Sequence, residues 1–227
     1  MRYSMIDTVI VSGGNIQKGF ALDFLKKIKE EKQESALRLI AADKGLEFFM
    51  ETGLVPDLVV GDFDSLSENG KKYLDSLKTA EVLRLKPEKD DSDTQSATNL
   101  AIRKGAKGIL LLGATGSRLD HIMANLGLLS LGEKKGVTVT MMDSGNYVTL
   151  VKSGTVLERE EQFGQFVSFF PVGGDVEGLT LEGFKYPLCG HHLTVTDSGL
   201  TVSNEITSPK ARVTFTKGSL LMIMSRD

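Results

Sequence analysis

Pro56-Asp57-Leu58-Val59-Val60-Gly61-Asp62-Phe63-Asp64-Ser65 carries the rule by which the first part of this chain is built. Its apolar run shows no polar alternation and reads as a strand buried on both faces, the kind found in parallel sheets. The glycine that ends the run is followed at once by acids. Asp62 and Asp64, two apart on an extended segment, would leave it on the same side. At about 4 Å and an effective dielectric of roughly 20, two carboxylates repel by about 4 kcal/mol. A fold keeps such a pair only if a cation or a proton shares it, so the stretch points to metal-assisted chemistry at a strand end.

The same rhythm repeats on either side. Thr8-Val9-Ile10-Val11 reads as a strand ending in Ser12-Gly13-Gly14, and residues 16–29 carry helical spacing. Further strands are predicted at 37–42, 82–85, 109–112 and 137–142, and helices near 45–52, 71–77, 92–104 and 120–131. Such alternation calls for a mostly parallel sheet with flanking helices, a Rossmann-like α/β arrangement. After Asp143 the rhythm changes. Ser144-Gly145-Asn146 marks a break, and short β-rich pieces follow at 148–151, 166–170, 179–181, 193–196, 200–202, 212–216 and 220–224. Asp197-Ser198-Gly199 and Thr216-Lys217-Gly218-Ser219 read as hairpin turns. The chain therefore divides into an α/β domain, residues 1–144, and an all-β domain of sandwich type, residues 145–227.

Of 227 residues, 41% are hydrophobic and 25% charged, the balance of a soluble protein with a full core. A formal net charge of −3 supplies no drive toward nucleic acid or an anionic membrane, and neither is expected as a partner. No segment approaches the roughly 20 apolar residues of a membrane span, and the first residues show no signal-peptide pattern. A cytoplasmic protein is expected. The single Cys189 excludes an internal disulfide, and no Cys/His spacing matches a zinc site. Cys189, His191 and His192 read as surface or interface residues of a loop in the β domain.

In open α/β sheets ligands bind at the carboxyl ends of the strands, and the informative residues fall there. Asp43 follows the second predicted strand, Asp62 and Asp64 the third, and Gly113-Ala114-Thr115-Gly116-Ser117-Arg118 the fifth. Asp43 by itself also suits a helix N-cap. In Lys89-Asp90-Asp91-Ser92-Asp93, the spacing of Asp90 and Asp93 would stack both acids on one helical face, although acids at a helix start also serve the dipole. Arg118-Leu119-Asp120-His121 opens a helix with a guanidinium, an acid and an imidazole, and His121 and Asn125 share a face. Glycine-bearing loops at 12–14 and 113–116 would let backbone amides approach a phosphate. Neither a P-loop nor a Gly-x-Gly-x-x-Gly follows the first strand. The residues alone describe a phosphate-handling enzyme that depends on a divalent cation. Oxygen ligands suit Mg²⁺, and Arg118 and Lys89 would neutralise transferring phosphoryl charge.

Taken in order, five motifs resemble those of thiamine pyrophosphokinases of the bacterial type. They are Ala42-Asp43-Lys44-Gly45; Gly61-Asp62-Phe63-Asp64-Ser65; Lys89-Asp90-x-Ser92-Asp93; Gly113 to His121 with Asn125; and Ser203-Asn204-Glu205. The resemblance spans nearly the whole chain. It implies transfer of a pyrophosphate group from ATP to the hydroxyethyl group of thiamine, giving thiamine diphosphate and AMP, with Mg²⁺ required. It also implies a homodimer whose active sites lie between the catalytic, nucleotide-binding α/β domain of one subunit and the thiamine-binding β-sandwich of the other. On that likeness Asp62, Asp64, Asp90 and Asp93 surround Mg²⁺ and the phosphates, with Asp64 and Asp93 as direct ligands. Asp62 or Asp93 would accept the hydroxyl proton. Asp43 would sit near the phosphates or the attacking hydroxyl, and Arg118 and Asp120 would contact nucleotide phosphate and metal or substrate. Lys89, Thr115, His121 and Asn125 complete the implied nucleotide side, and Ser203 and Asn204 would meet the thiamine pyrimidine. Departures are Ser92 for a common Thr, Lys44 for a frequent Gly, and the absence of Trp, which leaves Val202 where some members stack an aromatic ring on thiamine.

Two other readings compete. An apolar strand followed by Asp62-x-Asp64 also resembles phosphohydrolases of the haloacid-dehalogenase type, but that motif wants Thr or Val where Leu66 stands. A nucleotide or thiamine sensor that binds without turnover would use the same residues.

Overall fold

The computed structural model describes residues 3–31, 37–86, 88, 90–116 and 118–227. Their contacts fall into two compact units, Tyr3–Ser144 and Gly145–Asp227. In the first, β1 (Thr8–Val11), β2 (Arg38–Ala42), β3 (Leu58–Gly61), β4 (Glu81–Arg84), β5 (Gly108–Leu112) and β6 (Thr138–Met142) alternate with helices. These are α1 (Lys18–Glu31), α2 (Leu46–Thr52), α3 (Glu68–Ser76), α4 (Asp93–Arg103) and α5 (Leu119–Lys134). The strands pair in parallel in the order β4-β3-β2-β1-β5-β6. Aliphatic side chains set the register, with Val9 beside Leu39 on one flank and Leu110 on the other. Val9, Ile10, Val59, Val60, Leu110 and Leu111 are fully buried, as continuous aliphatic strands in a covered parallel sheet must be. The edge strand β4 is exposed throughout and carries Glu81 and Arg84, charges that blunt an open edge.

The strand order reverses between β1 and β5, with β2 to β4 extending one way and β6 the other. A reversal of this kind sends the loops after β1 and β5 in opposite directions and opens a crevice above the sheet edge. Helix ends differ modestly from the sequence reading. α3 starts at Glu68 and not at Lys71, because Ser67 caps it: its Oγ accepts from Gly70 N at 3.1 Å. α5 runs on to Lys134, past the expected end at Leu131.

The second unit is antiparallel, built from β7 (Asn146–Val151), β8 (Thr155–Glu158), β9 (Phe166–Glu182), β10 (Leu188–Leu193), β11 (Lys210–Thr214) and β12 (Lys217–Ser225). β12 lies between β7 and β9. β11 lies between β8 and β9, and β10 also pairs with β9. The long β9 thus serves both sheets, through residues 166–172 and Glu177 with β12 and residues 176–182 with β10 and β11. It bends between them at Gly173 (φ 73°) and Gly174 (φ 153°). Phe169 and Met222 from one sheet join Val176, Leu181 and Val213 from the other in a single buried cluster, the packing of a two-layer sandwich.

Here the sequence reading needs correction. The strands expected at 166–170 and 179–181 are one strand, and the segments expected at 193–196 and 200–202 run into a short 3-10 helix over Val195–Leu200. Thr194 and Asp197 cap that helix reciprocally, with Thr194 N donating to Asp197 Oδ2 at 2.9 Å. Such local bonds satisfy the backbone without a ladder, so Asp197-Ser198-Gly199 is part of a helix and not a hairpin turn. β12 already begins at Lys217, inside the turn expected over 216–219. Thr155–Glu158 forms a strand the alternation did not show, and Cys189, His191 and His192 sit on β10 and not in a loop. Among the described residues no helix is long and apolar enough to cross a membrane.

Candidate active site

Above the β1/β5 reversal lies a cleft of about 650 Å³. Ser12, Gly13 and Gly14 line it after β1, Asp43 and Lys44 after β2, Ser65 after β3, and Ser92, Asp93 and Thr94 at the start of α4. Gly113, Ala114 and Gly116 follow β5, and Arg118, Asp120, His121 and Asn125 close the far side at the start of α5. Two glycines make this convergence possible. A Cβ at Gly14 would lie 2.3 Å from the Gly113 carbonyl oxygen, and one at Gly45 would lie 1.9 Å from that of Val11. Any side chain at either position would drive backbone from backbone and open the floor of the cleft. Ser12 Oγ and Thr94 Oγ1, 2.8 Å apart, tie the end of β1 to the start of α4.

Oxygen atoms of Asp43, Asp62 and Asp64 all lie within 4.8 Å of one another. Their approach does not come from strand alternation. Asp43 has φ 47° and Phe63 has φ 67°, both in the left-handed region. For residues with side chains that region costs on the order of 1–3 kcal/mol, and it is met mainly where function holds it. The Phe63 conformation turns the chain between Asp62 and Asp64, and Asp64 N donates to Asp62 Oδ1 at 3.3 Å. The Phe63 ring is buried, and the Arg84 guanidinium stands over it at 5.1 Å. Asp43 Oδ2 accepts a hydrogen bond from Ser65 Oγ, whereas Asp43 Oδ1 is buried without a hydrogen-bond partner among the described residues. Grouped hard oxygens, beside a buried carboxylate oxygen left without a partner, fit a divalent cation of the Mg²⁺ type.

The other predicted acids separate. Asp93 is the first residue of α4 and lines the same cleft. Asp90 is exposed and precedes the cap residue Ser92, whose Oγ accepts from Gln95 N at 3.2 Å. The expected stacking of Asp90 with Asp93 on a helical face therefore does not occur, because the helix begins after Asp90. Asp91 is committed to Gln95 and Asn99 on α4. Lys89 lies outside the described residues.

At the start of α5, Arg118 donates through Nε and Nη2 to the two oxygens of Asp120, at 3.2 and 2.5 Å. That hydrogen-bonded guanidinium holds the Asp120 carboxyl below the usual carboxylate range. Asn125 is buried and donates through Nδ2 to Ala114 O at 2.9 Å, and Thr115 donates through Oγ1 to Asp143 at 2.5 Å. Both side chains brace the loop that follows β5. Sequence reasoning passed over Lys44, Ser65 and Thr94 as site residues. The contacts of the two hydroxyls span 22 and 82 residues of chain and leave no local signal.

Ser203 and Asn204 belong to the second unit. Ser203 is exposed with φ 54°, and Asn204 is only 1% exposed. The Asn204 side chain accepts from Tyr186 N at 3.0 Å and Glu205 N at 2.9 Å and donates to Tyr186 O at 2.8 Å. It pins the turn that presents Ser203. Asn204→Ala would strip three hydrogen bonds from part-buried backbone groups of Tyr186 and Glu205, so a loss of about 1–3 kcal/mol is expected. Chemical denaturation followed by a probe in this unit checks it, and an unchanged midpoint would show that the turn is held by something else.

Comparisons with known proteins agree with this layout. The family model described as thiamin pyrophosphokinase, catalytic domain, matches residues 29–141, and that described as thiamin pyrophosphokinase, vitamin B1 binding domain, matches residues 154–220. The thiamine pyrophosphokinase of Bacillus subtilis (strain 168) is 34% identical over 189 residues, covering 83% of this chain and 87% of that protein. The crystal structure of a Bacillus subtilis thiamine pyrophosphokinase superposes with a TM-score of 0.83 at 30% identity, covering 97% of this chain and 99% of the other. That of the Geobacillus thermodenitrificans enzyme does so with a TM-score of 0.81 at 30% identity, covering 97% of each chain. With two family models matching in order, a relative of this similarity and the same fold throughout, the chain belongs to the thiamine pyrophosphokinase family.

Proposed function

We propose that the cleft above β1 and β5 is where this chain carries out the reaction of its family, with Mg²⁺ held by Asp43, Asp62 and Asp64 and with Asp93 beside them. Family membership makes that reaction the synthesis of thiamine diphosphate by pyrophosphate transfer from ATP. The observation that carries the placement is the gathering of Asp43, Asp62 and Asp64 at the mouth of a cleft walled by glycine loops. When bound, Mg²⁺ supplies charge neutralisation to the phosphate oxygens and to the AMP leaving group. The amides of the loops after β1 and β5 receive the polyphosphate chain. Arg118, oriented by Asp120, offers its remaining donors to a phosphate, and Lys89, by the family resemblance, adds positive charge. Asp62 or Asp93 takes the proton of the thiamine hydroxyl as it attacks the β-phosphorus. His121 faces the nucleotide, while Thr115 and Asn125 keep its loop in place. Positioning and charge neutralisation do most of the work in phosphoryl transfer, and these residues are arranged for both.

The thiamine side is assigned to the second unit, with Ser203 as the exposed contact and Asn204 as its support. Val195, Leu200, Val202 and Tyr186 are exposed around that turn, Val195 to 76%. Apolar side chains of this kind suit burial against a second copy, so the working form is a homodimer in which Ser203 of one copy serves the cleft of the other. A chain with one cysteine suits the reducing cytoplasm, where the reaction is placed. Purified protein with ATP, Mg²⁺ and thiamine should release AMP and thiamine diphosphate in equal amounts. ADP with thiamine monophosphate, or AMP formed equally well without thiamine, would overturn the proposal.

A further inference from the structure

Asp43 is an uncommon carboxylate in three respects. Its backbone is left-handed at φ 47°. Its Oδ2 accepts a hydrogen bond from the hydroxyl of Ser65, which lies on a different loop 22 residues away. Its Oδ1 is buried with no hydrogen-bond partner among the described residues, and Asp43 offers one oxygen to the group formed with Asp62 and Asp64. The two oxygens of one carboxylate therefore stand in different positions. The terminal torsion of an aspartate is broad, so nothing in Asp43 itself fixes the plane of its carboxylate. Ser65 decides it.

We infer that Ser65 is a positioning residue, whose hydroxyl anchors Asp43 Oδ2 so that Asp43 Oδ1 is presented, already oriented, to a divalent cation shared with Asp62 and Asp64. The inference rests on the metal assignment proposed above. Two features of the fold support the anchoring. Gly61 ends β3 directly against Asp43: a Cβ there would lie 3.0 Å from Asp43 Cα, so the strand backbone and the Asp43 turn are in contact. Ser65 follows Asp64 by one residue, so the segment that carries two of the acids also carries the hydroxyl that aims the third. The three carboxylates are thus a linked group and not independent neighbours. Hydrogen bonds to ligating carboxylates commonly set metal affinity in this way, and their loss typically weakens binding or activity about 10- to 100-fold.

The test compares the unaltered protein with Ser65→Ala, Ser65→Thr and Asp64→Asn, each first checked to have a thermal unfolding midpoint no lower than that of the unaltered protein. Mn²⁺ binding is read without nucleotide by electron paramagnetic resonance of the free ion. The expected result is that S65A weakens Mn²⁺ about 10-fold, while S65T, which keeps the hydroxyl at an exposed position, stays within about twofold. In turnover, S65A should raise the Mg²⁺ concentration for half-maximal rate by a similar factor and leave KM for thiamine unchanged. Equal Mn²⁺ affinity of S65A and the unaltered protein would overturn the inference and would point to a direct contact between Ser65 and substrate. Equal weakening in S65A and S65T would overturn it too, because the hydroxyl would then not be the cause. If D64N binds Mn²⁺ as well as the unaltered protein does, the metal assignment itself fails, and that failure is seen separately from either result at Ser65.

Discussion

Asp64→Asn is expected to lower kcat for thiamine diphosphate synthesis by about 10³-fold, equivalent to roughly 4 kcal/mol of transition-state stabilisation. The replacement is close to isosteric, and the hydrogen bond that Asp64 gives to Asp62 comes from its backbone N, so the turn around Phe63 survives. What changes is charge: one anionic oxygen leaves a group whose members lie within 4.8 Å. Mg²⁺ prefers hard anionic oxygens and would lose one of few protein ligands. The same change removes like-charge repulsion from the metal-free protein, so its thermal midpoint should stay level or rise while activity falls. Opposite movement of stability and turnover marks a site residue, whereas a merely structural acid would lose both. Near-normal kcat at saturating Mg²⁺ would reject Asp64 as a ligand.

Arg118→Met should cost about 10²- to 10³-fold in kcat, the scale on which removal of one preorganised donor is felt. Arg118 is exposed at the cleft wall and held by Asp120 through two of its donors, which leaves the others for an anion. Asp120 would then stand at the cleft without its partner, and its carboxyl should return toward the ordinary range, since hydrogen bonding to Arg118 is the main cause of its depression. Arg118→Lys should recover only part of the loss, because an ammonium restores the charge without the planar fork. Steady-state kinetics with ATP varied would show kcat and kcat/KM for ATP falling together. Equal rates for Met and Arg at this position would remove Arg118 from the phosphate site.

The parallel sheet was legible because buried parallel strands cannot alternate: Val59-Val60 and Leu110-Leu111 have no solvent face to mark with polar residues. Helix limits were less so, since α3 is extended by the cap at Ser67, which periodicity does not register. Within the site, loop position identified Asp43, Asp62 and Asp64 as neighbours, but not how they meet. Strand alternation suggested one geometry, and the left-handed Phe63 supplies another. The Asp90–Asp93 spacing has meaning only inside a helix, and Ser92 caps that helix after Asp90. In the second unit the pairings join residues far apart in sequence, and Gly173-Gly174 looks like the end of a strand when it is a bend in one. Asn204, singled out as a ligand by resemblance, spends its side chain on the backbone of Tyr186 and Glu205, a use that only the folded turn reveals.

The bend in β9 has a thermodynamic consequence. Because residues 166–182 run through both sheets without interruption, the two sheets share one backbone and are coupled in unfolding. Such coupling is expected to give β10 and β12 matched hydrogen-exchange protection. Ser203, whose turn is bridged to Val167 of β9 through Asn204, is tied to that shared strand.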